Sequence, residues 1–154
     1  MLFNEDFENF KPIFYYDFAK QIHDNLDKFS CDNSAILRSV ISRAYYAAFL
    51  QVKARLEDEG YVFSGYEDHS KVKNILIHDK PIQTELFNKD IQSRLFDLQK
   101  NRIYCDYKFQ IPEDNEKWAT QDISTLLYFS KWIVQNVEVK SFSISFIFLF
   151  YALS

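Results

Sequence analysis

An all-α fold is expected from three features of this 154-residue chain. It carries only 2 Gly and 3 Pro against 47% hydrophobic residues, which leaves little material for hairpins and tight strand connections. Apolar residues recur at intervals of three and four through several long segments, the period of helices rather than strands. One run, Ala35 to Gly60, keeps that period longest and is read as the central helix against which the others pack.

Within that run the stripe is Leu37, Ile41, Ala44, Ala48 and Val52, widened by Tyr45, Phe49 and Leu56. Asp32, Asn33 and Ser34 offer side-chain oxygens to the unpaired amides of a first turn, and Gly60 stands where a left-handed cap would close the helix. Glu57, Asp58 and Glu59 oppose the helix dipole, so the last turn is expected to fray. Ser39, Arg43 and Tyr46 share a polar stripe next to Ser42. A guanidinium, hydroxyls and a phenol on one face can bind an anion; the same residues also make an ordinary solvated face with tyrosines at its edge.

Residues 1–10 show no long period and lead into a first helix from about Pro12 to Phe29, with Phe14, Phe18, Ile22 and Leu26 inward and His23 at the core edge. Tyr61 to Asp68 reads as a loop broken by Gly65, and His69 to His78 as a short third helix with Val72, Ile75 and Leu76 inward. After Asp79-Lys80-Pro81 a fourth helix is expected from Thr84, with Phe87, Ile91, Leu95 and Leu98 in its stripe. Asp114 or Asn115 can cap a fifth, running to about Val137, whose apolar side holds Trp118, Ile123, Leu126, Leu127, Phe129 and Ile133. About five helices with short links make a bundle of mostly antiparallel neighbours.

The fourth stripe, continued, reaches Arg102 and Cys105. An arginine in a core-facing slot must be paired or solvated by a ligand, since breaking a buried ion pair costs about 3–5 kcal/mol. Asp106, one turn on, can supply an internal ion pair that locks the helix end. Alternatively Arg102 is aimed at a phosphate, with Asp106 holding it straight and Tyr107 adding a hydroxyl.

The length suits one domain, taken as residues 1–138, followed by an apolar C-terminal tail of unknown form, 139–154. A net charge of −4 argues against a broad basic surface for nucleic acid but leaves room for a small basic cleft. Cys31 and Cys105 make no disulfide framework, and no signal peptide precedes the first polar residues, so a cytoplasmic location is expected. His23, His69 and His78 are scattered with no Cys/His spacing for zinc; no metal and no cofactor are expected. The uncharged stretch Phe142 to Leu153 is shorter than the roughly twenty residues a spanning helix needs, which disfavours membrane association. A buried strand or helix, a dimer contact and an exposed aggregation-prone end all suit it.

Ile41-Ser42-Arg43-Ala44-Tyr45-Tyr46-Ala47-Ala48-Phe49 resembles the second helix of prokaryotic HEPN domains, in the branch with an SRAYYAAFH-type signature. Arg102-Ile103-Tyr104-Cys105-Asp106-Tyr107 is similar to that branch's RxxADY motif, with Cys in the Ala place, and Asp68-His69-Ser70-Lys71 is a looser echo of a Ser/Thr-His-Lys stretch. The resemblance ends near Asn136. It implies a helical bundle that dimerises, with an RNA-facing groove where protomers meet. It also implies a toxin or antiviral defence protein, often beside a nucleotidyltransferase-like antitoxin. The implied chemistry is metal-independent attack of a ribose 2′-hydroxyl on the adjacent phosphate. Inactive relatives are instead modules that bind a nucleotide or a partner protein.

Carried over, the catalytic residues are Arg102, Asp106, Tyr107 and His69, and the substrate-binding wall is Ser42, Arg43 and Tyr46. Nuclease members of the family generally place a His four to six residues after the Arg. Here those positions are Asp106, Tyr107 and Lys108, and Leu50 stands where the central-helix motif often has His. Proton transfer then falls to Asp106 or His69. The expectation is an RNA-cleaving or RNA-binding protein; the alternatives are the non-catalytic module and an interaction protein working through its tail.

Overall fold

Five helices account for most of the residues described by the computed structural model, which are 11–30, 32–65, 67–79, 82, 87–107 and 118–140. They are α1 (Ile13–Asp24), α2 (Asn33–Asp58), α3 (Asp68–His78), α4 (Lys89–Tyr107) and α5 (Trp118–Asn136). The expected all-α bundle is what forms, with no strand among the described residues. α2 packs on α1, α4 and α5, while α5 also meets α4 and α1. α3 touches α2 more lightly.

α2 can serve three neighbours because its inward residues alternate in size: Ala44, Ala47 and Ala48 are completely buried between Val40, Tyr45, Val52 and Leu56. Where the alanines lie, helices approach closely enough for backbone to be bonded from outside. Ser130 of α5 is fully buried and donates to the Ala44 carbonyl at 2.7 Å, and Gln51 donates to the Val137 carbonyl at 2.7 Å. Both satisfy polar groups that burial would otherwise penalise. Leu126, Leu127, Ile123 and Ile133 of α5 and Ile91, Leu95 and Leu98 of α4 complete the core. Arg94 of α4 lies over the Trp132 ring of α5 at 4.2 Å, a cation–ring contact that ties these two helices together.

The ends of α2 follow from local chemistry. Asp32 accepts the Ala35 amide at 3.2 Å as N-cap. At the other end the Gly60 amide bonds to the Glu57 carbonyl at 3.0 Å and the Tyr61 amide to the Leu56 carbonyl at 3.1 Å, the paired bonds of a Schellman motif, with Gly60 at φ +92°. The fraying expected from the acidic last turn does not occur. Arg55 pairs with Glu59 at 2.8 Å, and the Lys140 amide and ammonium bind Asp58 and Glu59, so cations and a backbone donor offset the unfavourable dipole.

Three other boundaries or faces differ from expectation. α1 ends at Asp24, not Phe29; Asn25 folds back onto the Gln21 carbonyl, and Leu26–Lys28 make a single 3₁₀ turn. Its buried face is Tyr16 and Ala19, with Ile13, Tyr15 and Ile22 beside them, while Phe14 and Phe18 are each 50% exposed. Aromatic residues occupy both sides of this helix, so hydrophobicity did not single out one face; the small Ala19 did, by letting α1 sit close to the bundle. α4 is capped by Asn88, whose side chain accepts the Ile91 amide at 2.9 Å, which sets its start at Lys89. The helix therefore starts five residues after the expected Thr84, with Phe87 and Asn88 outside it. Thr84 itself, the capping residues Asp114 and Asn115, the Trp118 side chain and the tail 142–153 lie outside the described residues. Among the described residues no helix is long and apolar enough to cross a membrane.

Close packing at the alanines makes a direct test. Ala47→Leu inserts a branched side chain where exposure is zero and is expected to lower stability by about 1–3 kcal/mol, read as a lower urea midpoint with the slope unchanged. A midpoint equal to wild type would show that the α2 interfaces have slack.

Candidate functional site

The site is assembled where α2 meets the first turn of α3 and the last turns of α4. Its placement begins with Asp68, a carboxylate that is 4% exposed at the start of α3. One of its oxygens accepts the Ser64 and Gly65 amides at 3.1 and 2.9 Å, and the other accepts Lys53 Nζ of α2 at 2.6 Å. The Lys53 hydrogen bond is the main reason the Asp68 carboxyl is held below the usual range, with the two loop amides adding to it. The loop, the helix start and α2 are thereby fixed to one point.

That clamp sets down the next residue, His69, on the aromatic ridge of α2. Its ring lies 4.2 Å from that of Phe49, 5.6 Å from Tyr45 and 5.8 Å from Tyr46. His69 Nδ1 is 2.7 Å from the Tyr45 hydroxyl. Partial burial depresses the His69 pKa below its ordinary 6.5, and the positive charge of Arg102 depresses it further. Tyr45 is itself fully buried, and burial raises its pKa strongly, so its hydroxyl keeps its proton at neutral pH.

Arg102 arrives from α4. Its Nη2 donates to the Tyr46 hydroxyl at 3.2 Å, and the guanidinium carbon lies 5.5 Å and 5.9 Å from the Tyr46 and Tyr45 ring centres. Nε is 2.6 Å from Asp106 Oδ2 but off the line of its N–H, so the contact is a close ion pair rather than an aligned hydrogen bond. The side chains are 15% and 27% exposed, so water reaches the pair from one side.

Of the residues picked out in the sequence, Arg102, Asp106, Tyr46 and His69 are brought together. Tyr107 ends α4, and its side chain lies outside the described residues. Arg43 stands one step away: its guanidinium is over the Tyr15 ring at 5.4 Å, and Tyr15 is 6.1 Å from Tyr46. Ser42 is half-buried and makes no hydrogen bond to the cluster among the described residues. Among the described residues no three His, Cys, Asp or Glu side chains gather as a metal site.

Three further participants do not stand out in the sequence. Tyr45 falls in the apolar stripe of α2, and Tyr15 falls outside the inward stripe expected for α1. Arg38 Nη1 donates to the Cys105 carbonyl at 2.6 Å, in the last turn of α4. Arg38 was findable, since Arg38, Ser42 and Tyr46 fall four apart on one helical face. Burial pushes the Cys105 thiol up to about 11, although Arg38 acts against the shift.

The arrangement puts one fixed cation, one carboxylate and one neutral imidazole around a partly open edge, a set that can hold an anion and move a proton beside it. In comparisons with known families, curated proteins and solved structures, nothing matches this chain.

The depressed His69 pKa has a thermodynamic consequence. The unfolded chain takes up a proton on this residue near 6.5 while the folded chain resists it, so stability is full above that pH and is lost as pH falls toward the lower folded value. Replacing the residue, as in His69→Phe, is expected to reduce the fall of the melting temperature between about pH 7.5 and pH 5. An unchanged slope would place His69 in solvent.

Proposed function

We propose that this chain is a HEPN-type protein that acts on RNA, holding a backbone phosphate at Arg102 and cleaving beside it without a metal. The observation that carries the reading is Arg102 itself. A partly buried guanidinium is oriented by Asp106 and Tyr46, with His69 delivered alongside by a different helix. Two segments sixty residues apart in the chain, around Ser42 and around Arg102, supplied the resemblance, and residues from both meet in this cluster.

In the proposed reaction the ribose 2′-oxygen bonds to phosphorus as the bond from phosphorus to the 5′-oxygen breaks. The 2′-proton passes to the Asp106 carboxylate, the departing 5′-oxygen takes a proton from water, and a 2′,3′-cyclic phosphate remains. Arg102 offsets the charge on the phosphorane oxygens. On this reading the protein works as a dimer in a toxin–antitoxin or antiviral defence setting, with a nucleotidyltransferase-like antitoxin as its natural partner.

A second reading is favoured by the same ion pair. Arg102 and Asp106 already satisfy one another at 2.6 Å, which is what a non-catalytic module binding a nucleotide or a partner protein would need from a purely structural pair.

One experiment separates them. Purified wild type and Arg102→Ala are incubated with single-stranded and structured RNA in EDTA. On the first reading wild type leaves cyclic-phosphate ends, and Arg102→Ala loses at least a hundredfold in rate with its melting temperature almost unchanged, a loss of the size reported for removing a transition-state charge partner. Absence of cleavage by wild type, or a large stability loss in Arg102→Ala, moves the assignment to the binding module.

A further inference from the structure

Two arginines border the ring pair Tyr15–Tyr46, whose centres are 6.1 Å apart, and they differ in what balances their charge. Arg102 comes from α4, with its guanidinium carbon 5.5 Å from the Tyr46 centre and Asp106 against its Nε. Arg43 comes from α2, with its guanidinium carbon 5.4 Å from the Tyr15 centre. Among the described residues Arg43 forms no ion pair and no hydrogen bond. It is half-buried, and none of its nitrogens is sealed from water without a partner, so they face solvent.

A guanidinium resting on a ring is weakly hydrated and keeps its donors in one orientation. Arg43 is therefore a placed cation without a counter-ion. Asp17, two residues past Tyr15 on α1, is exposed and forms no ion pair with it, and Asp106 is engaged by Arg102. Arg38, eight residues before Tyr46 on the same face of α2, adds another guanidinium, bonded to the neutral Cys105 carbonyl. Positive charge thus collects beside these rings in a chain whose net charge is −4.

We propose that Arg43 is the second anion-binding residue of this site, so that the RNA strand is recognised by two neighbouring phosphates, one at Arg102 and the next at Arg43. The inference rests on the phosphate assigned to Arg102 above. Arg43 and Tyr46 lie three apart on one face of α2, and the Tyr46 hydroxyl accepts from Arg102 Nη2 at 3.2 Å. The same two rings therefore fix both guanidiniums relative to one another. A single phosphate leaves Arg43 unmatched; a phosphodiester strand brings a second anion at a covalent distance from the first.

The test uses deoxythymidine dinucleotides, which lack the 2′-hydroxyl and bind without being cut. Three are compared by titration calorimetry at about 0.15 M ionic strength, where long-range attraction is screened: one with the internal phosphate alone, one with an added 5′-phosphate and one with an added 3′-phosphate. Wild type is expected to bind one of the two-phosphate probes about tenfold more tightly than the one-phosphate probe. In Arg43→Gln, a change at a half-buried position, that ratio is expected to fall to about one, and in Arg43→Lys to be partly kept, since the charge remains. Inorganic pyrophosphate, whose two phosphates share one oxygen, is expected to bind less tightly than the preferred dinucleotide.

Equal binding of all three dinucleotides by wild type, no binding of any at up to about 1 mM, or a ratio that persists in Arg43→Gln would overturn the proposal. So would loss of the one-phosphate probe in Arg43→Gln, which would make the two arginines a single shared site. Tighter binding of pyrophosphate would overturn the strand and assign a nucleoside diphosphate instead. The two proposals fail separately. RNA cleavage in EDTA by a protein indifferent to the second phosphate leaves the function standing and removes this inference, whereas an Arg43-dependent preference in a protein that cleaves no RNA does the reverse.

Discussion

The structure depends on a single constraint: one helix must bury itself against three others at once. α2 meets it by placing alanines where neighbours cross and larger side chains between them, so Ala44, Ala47 and Ala48 are as completely enclosed as Val40, Val52 and Leu56. With α1, α4 and α5 taking most of its circumference, polar side chains on α2 have little room. Tyr45, Tyr46 and Phe49 meet His69 of α3, the helix that covers α2 least, while Arg43 lies over Tyr15 of α1 and Arg38 reaches the Cys105 carbonyl of α4.

Electrostatics then decides what that edge can do. Arg102 brings a permanent charge into a place only partly reached by water, and Asp106 and Tyr46 balance and orient it. The same charge, together with burial, keeps the adjacent imidazole neutral. The hydroxyl of the buried Tyr45 lies 2.7 Å from Nδ1 of that ring. A residue that looks, from its burial alone, like ordinary core thus borders the candidate site.

Much of the bundle was legible in advance because its signals were unambiguous. The stripe through Ile91, Leu95 and Leu98 had polar residues around it, and the cap chemistry of Asp32 and Gly60 marked both ends of α2. α1 was misread because Phe14 and Phe18 compete with Tyr15 and Tyr16, and period alone cannot rank two aromatic faces. The fraying expected at Glu57 to Glu59 was misjudged for a different reason: the partners that cancel the charge include Lys140, some eighty residues away, which local sequence does not show. Arg102 stands out because an arginine interrupts an apolar stripe, whereas Tyr45 interrupts nothing.

By itself the sequence determined the helical class, the central position of α2, and the presence of an arginine that had to be compensated, since these follow from period, composition and the cost of burying charge. Only the tertiary structure decided which neighbours Arg102 has, that His69 rather than Arg43 stands in the first circle around it, and that Tyr45 hydrogen-bonds to the imidazole. Those outcomes depend on how α3 is clamped to α2 through Asp68 and Lys53 and on the rotation of α4 about its axis. Relations of that kind between helices leave no periodic trace along the chain, because each contact joins residues fifteen to sixty-seven positions apart.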